Sequence, residues 1–205
     1  MHPSTQIFLL RHGEVEERYH RVFGGRLDMD LSPLGHEQAA ALARYVRRHP
    51  LDAIYSSPMR RAQQTLAPLS GHAAAPAVVR DELREVDFGD WTGLRWEEVL
   101  DRFNIHPSSW LDQMEDAAIP NGESAASFRA RIEPCLAEIL RDQAGKSVGV
   151  VCHGGVIRMM LAILLELPLP KLACFEIDYA SVTHVELRPH FTAVRFLNFA
   201  PWRHS

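Results

Sequence analysis

Two short segments bring together residue types that could do chemistry. Leu9-Leu10-Arg11-His12-Gly13-Glu14 and Val150-Val151-Cys152-His153-Gly154-Gly155 are each an apolar run that ends in a histidine with glycine directly behind it. Such a run reads as a buried strand delivering an imidazole to a turn. The glycine lets backbone N–H groups come close to an anion. Two turns of this kind, one opening with arginine, describe a cationic pocket with a histidine nucleophile. The chemistry that fits is phosphoryl transfer without a metal.

A phosphoryl group needs fixed positive charge around its oxygens, because its transfer depends on positioning and electrostatic stabilisation. Arg11 and an arginine from Met59-Arg60-Arg61-Ala62 can supply bidentate guanidinium contacts. The nucleophilic histidine must be neutral, and neighbouring cations lower its pKa while a bound dianion raises it. A carboxylic acid should stand nearby to protonate the leaving alkoxide. Taken singly, each feature has an ordinary structural explanation. A histidine after a strand is commonly a polar turn residue, arginines on a helix are commonly exposed, and Gly154-Gly155 could be a plain strand-to-helix turn. None of these explanations requires the features to fall at consecutive strand ends.

The elements that must position them follow from periodicity and punctuation. Ile7 to Leu10 reads as a strand. Ser32-Pro33 opens a helix to about Arg48, with Ser32 as N-cap and with Leu34, Leu42, Tyr45 and Val46 at roughly helical spacing. Ala53-Ile54-Tyr55 is a second strand, followed by Ser56-Ser57-Pro58 and a helix to about Leu69. Ala77 to Val79 is a third strand. Asn121-Gly122-Glu123-Ser124 starts a long helix to about Gln143. Ser147 to Cys152 is a strand, Gly155 to Glu166 a helix, and Val182 to Leu187 with Ala193 to Phe199 a final antiparallel pair. Between them, Phe88 to Pro120 holds three of the four tryptophans. It reads as a cap-like insertion near the site, or equally as ordinary packing of a helical excursion. Strands alternating with helices imply an α/β fold, a three-layer α/β/α sandwich with a mostly parallel central sheet. In such a sheet ligands gather at the carboxyl ends of strands, where Arg11-His12, Ser56-Ser57 and His153 to Gly155 all fall. A helix starting near Gly155 would aim its N-terminal N–H groups at the same crevice.

Composition narrows the classes. The chain has 205 residues, 46% of them hydrophobic, which is enough for one well-buried core and a single domain over residues 1–205. A formal charge of −4 with no long basic run argues against a nucleic-acid partner. Three unpatterned cysteines point to a reducing compartment. With no basic leader and no apolar run long enough to span a bilayer, the expected setting is the cytoplasm, with no membrane partner. His36, His184 and His190 show no metal-ligand spacing, so no metal and no other cofactor is expected. Oligomeric state is left open.

The ordered motifs resemble the histidine phosphatase superfamily, branch 1, which includes phosphoglycerate mutase-like, broad-specificity and alpha-ribazole-phosphate phosphatases. Leu-Leu-Arg-His-Gly-Glu, Tyr-Ser-Ser-Pro-Met-Arg-Arg-Ala-Gln-Gln-Thr, Leu-Arg-Glu-Val-Asp-Phe-Gly-Asp-Trp-Thr-Gly, Asn-Gly-Glu-Ser and Val-Cys-His-Gly-Gly occur in the family's order from residue 7 to about 158. The resemblance implies that His12 becomes phosphohistidine and that Arg11, Arg61 and His153 complete the phosphate pocket. Arg61 matches the family's arginine before alanine, and Arg60 falls on a variable position. Glu85 matches the proton donor, with Asp87 and Glu82 as competitors. Phe23-Gly24-Gly25 matches the substrate-side loop, and Gly154 joins Arg11 and Arg61 in holding substrate. Two positions depart from the pattern. Where the family usually has threonine or serine and then a phosphate-binding asparagine, this chain has Val15 and Arg18. Arg18, or nearby Arg21 or Arg26, could supply the missing contact, or all three could form a solvated loop face.

The activity this implies is a metal-independent phosphomonoester hydrolase that acts on a small-molecule phosphate ester and releases inorganic phosphate. Three alternatives stand beside it. Cofactor-dependent mutase-type transfer uses the same pocket, yet mutases are generally longer and carry extra basic residues in the insertion. Here the insertion is rich in tryptophan, and the chain has only Lys146 and Lys171 as lysines. A cysteine-dependent phosphatase would read Cys152-x5-Arg158 as its loop, although Cys152 ends an apolar run and Met159 replaces the usual hydroxyl residue. A catalytically weak phosphate-binding module is the third.

Overall fold

The computed structural model describes residues 4–203. The strand β1 (Thr5–Arg11) alternates its side chains across the sheet. Ile7 and Leu9 enter one apolar cluster, Phe8 and Leu10 the other, and all four are buried. This two-sided burial is the property of a strand covered on both faces. The helix α1 (Pro33–Arg48) begins as its sequence dictates, with Ser32 Oγ accepting the Gly35 N–H at 2.9 Å and proline at the first position. Leu34 is exposed despite its spacing. The inner face is built instead from small and branched residues, including Gly35, Ala39, Leu42 and Val46.

The strand β2 (Ala53–Ser56) is followed by α2 (Arg60–Leu66), a 3₁₀ turn to Leu69 and the short β3 (Val78–Val79). The 88–120 region forms α3 (Trp96–Phe103) and α4 (Trp110–Glu115) with 3₁₀ turns. Then come α5 (Ala125–Asp142), β4 (Ser147–Cys152), α6 (Gly154–Leu164), and the hairpin of β5 (Val182–Arg188) with β6 (Phe191–Phe199). The sheet runs in the order β3-β2-β4-β1-β5-β6. Its first four strands are parallel, and β5 and β6 are antiparallel. Helices α1 and α2 contribute to one apolar cluster, α5 and α6 to the other. The expected three-layer α/β sandwich is therefore the observed one.

Two glycines allow the segment after β1 to lie against α1. A Cβ at Gly35 would fall 2.1 Å from the Glu14 carbonyl oxygen, and one at Gly13 would fall 2.5 Å from the Gly35 carbonyl oxygen. Backbone cannot yield as a flexible side chain can. Gly35→Ala should therefore cost about 1–3 kcal/mol, the usual penalty of overpacking, measured by urea unfolding. Unchanged stability would contradict the close approach.

Candidate active site

Register brings the two histidine turns together. Arg11 pairs with Cys152 across the parallel β1–β4 ladder, so His12 and His153 leave adjacent strands side by side, with ring centroids 5.2 Å apart. Ser56 pairs with Val151 in the next strand. Ser57 then stands beside the same turn, its Oγ 2.7 Å from His153 Nε2. The three strand ends singled out by the sequence thus converge at one crevice.

His12 is buried and its tautomer is fixed by its neighbours. Nδ1 lies 2.8 Å from the Gly13 carbonyl oxygen, to which it can only donate. That leaves Nε2 as the lone-pair nitrogen, and Arg61 Nε donates to it at 3.2 Å. Burial, then the charges of Arg61 and Arg11, hold the His12 pKa well below its ordinary value. A neutral imidazole with its Nε2 lone pair directed at the guanidinium of Arg61 is the form that can attack an electrophile. His153 is likewise buried and held neutral by burial, Arg61 and His12. Among the described residues its Nδ1 has no partner, and neither does Arg11 Nε. Two orphaned nitrogens in a cationic crevice suit the oxygens of an anion.

Arg61 is buried because its donors are used. Besides His12, its Nη1 donates to the Leu27 carbonyl at 2.8 Å and its Nη2 to that of Gly25 at 2.9 Å. Burial lowers its pKa to about 10, which leaves it charged at neutral pH. The Phe23-Gly24-Gly25 loop is thereby fastened to the phosphate side. Gly24 and Phe23 line the cavity, and the Phe23 ring packs against Phe88 and Trp91. Arg11 donates to the Ile177 carbonyl and lies 4.1 Å over the Tyr179 ring.

Of the three candidate carboxylates, only Glu85 lines the cavity. It accepts the Val86 N–H at 3.0 Å and the Gly155 N–H, in the first turn of α6, at 3.2 Å. A Cβ at Gly155 would lie 2.5 Å from Glu85 Oε1, so the missing side chain makes room for the carboxylate. Asp87 turns away to accept the Gly89 N–H and to face Arg26. Arg131 on α5 fixes this segment. It donates to the backbone carbonyls of Glu82, Arg84 and Glu85, and to Glu123, whose Oε2 accepts the Asp87 N–H at 2.9 Å. The Asn-Gly-Glu-Ser motif therefore acts through Glu123 as an anchor for the Glu85 segment.

Arg18 is not brought to the site. Its side chain is 67% exposed, bonds Glu16 at 2.6 Å and lies over the Tyr19 ring, outside the cavity wall. Arg26 is engaged by Asp87 and Glu123, whereas Arg21 does reach the cavity. Arg60 faces Asp28 and Asp30 on the surface. Cys152 packs in the apolar core, and burial together with the Glu85 charge pushes its thiol pKa up, which disfavours a thiolate nucleophile. Tyr179 and Arg131 had no signature of their own as site residues, and Arg158 was marked only by the Cys152-x5-Arg158 pattern. Arg158 lines the cavity, with Nη2 donating to Phe175 and Nη1 to Gly154. The cavity holds about 620 Å³, and Phe88, Trp96, Leu100 and Trp110 from the 88–120 region form much of its wall. Trp91 and Val99 from the same region are fully buried, so the insertion serves both core and cavity. Among the described residues, no cluster of three or more His, Cys, Asp or Glu could hold a metal, and no helix is long and apolar enough to cross a membrane.

A model of the histidine phosphatase superfamily (branch 1) matches residues 7–200. The chain belongs to that superfamily. Formation of a phosphohistidine is characteristic of its phosphatases. The chain is similar to phosphoserine phosphatase 1 of Hydrogenobacter thermophilus, with 34% identity over 90% of this chain and 88% of the relative. It is 26% identical to the adenosylcobalamin/alpha-ribazole phosphatase of Escherichia coli, over 94% and 95%. Among solved structures, a mycobacterial glucosyl-3-phosphoglycerate phosphatase superposes with a TM-score of 0.82 at 29% identity, covering 96% of this chain and 99% of that one.

The two depressed imidazoles have a consequence for stability. Between their native pKa values and the ordinary 6.5, the unfolded chain binds protons that the native protein does not. Stability is therefore full above about pH 6.5 and declines as pH falls below it, by up to about 1.4 kcal/mol per pH unit per histidine. Urea unfolding at pH 7.5 and 5.5 should show this loss, and a smaller one in His12→Gln/His153→Asn. An equal loss in the variant would contradict the assignment.

Proposed function

We propose that the protein is a phosphomonoester hydrolase that works through a phosphohistidine at His12 and needs no metal. One observation carries the reading: His12 is held as a neutral imidazole whose Nε2 lies 3.2 Å from a buried guanidinium, with a carboxylate at the same crevice. Arg11, Arg61 and His153 hold the phosphoryl oxygens, the last through Nδ1–H and the first with help from Nε. Arg158 adds a third guanidinium. Three arginines bring three formal positive charges to the crevice, which attract a phosphoryl dianion. Gly154 contributes backbone at the helix entrance, where N–H groups favour an anion.

His12 Nε2 attacks phosphorus as the ester P–O bond breaks, and Glu85 gives its proton to the leaving oxygen. Water then attacks the phosphohistidine and Glu85 takes the proton back, so imidazole and inorganic phosphate are released. The missing asparagine contact is replaced by the arginines already in the pocket rather than by Arg18. The chain works as one domain, with the 88–120 region as a fixed cap on the leaving-group side. The substrate is a small-molecule phosphate ester, as the names of the relatives suggest.

A panel of alkyl phosphate esters should yield free phosphate faster than any transfer between acceptors. Interconversion of 2- and 3-phosphoglycerate that outran phosphate release would make it a mutase. Glu85→Gln should lower kcat/KM, which reports the phosphorylation step, on alkyl esters by roughly 10²–10⁴-fold, the usual contribution of a general acid. The loss should be much smaller on p-nitrophenyl phosphate, whose leaving group needs little protonation. Equal losses on both would remove Glu85 from the proton-transfer role.

A further inference from the structure

The leaving-group side of the cavity carries charged side chains at one place. Beyond the phosphate cluster of Arg11, Arg61, Glu85 and Arg158, the only Asp, Glu, Lys or Arg side chains among the described residues on its wall are Arg21 and Glu97. These two pair with each other at 2.5 Å, and the Arg21 guanidinium also lies 5.5 Å over the Trp96 ring. Trp96 and Leu100, one helical turn apart on α3, are both about two-fifths exposed and both face the cavity. His106 is the remaining titratable group from the cap, and its Nδ1 accepts the Ser108 N–H. The wall is also preformed. Phe23 N–H donates to Leu94, Gly93 N–H to Phe23 and Trp96 N–H to Arg21, so backbone bonds stitch the loop carrying Arg21 to the helix carrying Glu97.

Resting on the phosphatase reading, we propose that the substrates are phosphate monoesters of uncharged alcohols that carry a ring, and that Glu97 sets this preference by neutralising Arg21. A ring stacked on Trp96 and Leu100 gains from apolar burial and aromatic contact. A leaving group bearing a carboxylate finds its one cation outside the phosphate cluster already occupied by Glu97. Its charge then meets the like charge of Glu97 beside aromatic and aliphatic side chains instead of a free cation. The volume agrees. About 620 Å³ lies in the range of sites for drug-sized ligands and exceeds what a phosphoryl group on a three-carbon acid fills.

The test compares 2-phenylethyl phosphate with phosphoserine and 3-phosphoglycerate on the full-length protein, with unactivated alkyl leaving groups throughout. The wild type should favour 2-phenylethyl phosphate at least tenfold in kcat/KM over both acids. Glu97→Gln, which frees Arg21, should raise the ratio of 3-phosphoglycerate to 2-phenylethyl phosphate turnover at least tenfold. Adding Arg21→Asn should return that ratio to the wild-type value. Asparagine tolerates the left-handed backbone that Arg21 adopts at φ 58°, and both side chains are more than half exposed, so folding is not at stake. Wild-type preference for phosphoserine, lost in Glu97→Gln, would mean that the pair captures a zwitterion, and would overturn the proposal while leaving the hydrolase intact. An unchanged ratio in Glu97→Gln would also overturn it. Failure to hydrolyse any of the three esters, or p-nitrophenyl phosphate, would overturn the phosphatase reading as well.

Discussion

The whole site depends on one ladder. Because β1 and β4 run parallel with Arg11 opposite Cys152, two sequence-distant histidines leave the sheet at the same level. A shift of one residue would turn each side chain to the opposite face and send His153 away from His12. That register is held by burial on both faces, since Ile7, Leu9, Leu10, Val148, Val150 and Val151 are all at 0% exposure. The apolar core therefore sets the distance between the two imidazoles, and the turns that carry them need few constraints of their own.

Convergence of like charges follows, and the structure answers it in two ways. The arginines spend many of their donors on backbone carbonyls, as Arg61 does on Gly25 and Leu27 and Arg158 does on Phe175 and Gly154. The imidazoles remain neutral, which removes two charges from the crevice and leaves His12 nucleophilic. The same electrostatic surplus that opposes folding is what a phosphoryl dianion relieves. Stability and anion binding are thus two readings of one charge arrangement.

How much of this could be read from sequence depends on the range of the interaction. The Ser32-Pro33 helix start, the apolar strands and the glycines behind both histidines are local signals, and each element stands within a few residues of its expected place. Arg11, His12, Arg61, Glu85 and His153 meet because the fold brings strand ends together, a rule the sequence order already invoked. Leu34 has helical spacing yet is exposed, because periodicity does not say which side of α1 meets the sheet, and small residues form the closer face. Arg18 stands where the family has its phosphate-binding asparagine and carries the charge to replace it, but Glu16 two residues away supplies a nearer partner. Tyr179 and Arg131 carry no local mark. Their roles arise from contacts across 168 and 46 positions, Tyr179 beneath Arg11 and Arg131 on the Glu85 carbonyl. Arg21 and Glu97 likewise gain meaning only as a pair.

The central claim is that His12, through Nε2, is the group that becomes phosphorylated. The most direct measurement is rapid quench with an alkyl phosphate ester under alkaline work-up, followed by mass spectrometry and phosphohistidine-isomer analysis of the trapped protein. The account predicts a single acid-labile phosphoryl group on His12 at Nε2, absent from His12→Ala. Phosphate on Nδ1 of His12, on His153 or on Cys152, or turnover by His12→Ala through a trapped phosphoenzyme, would contradict it.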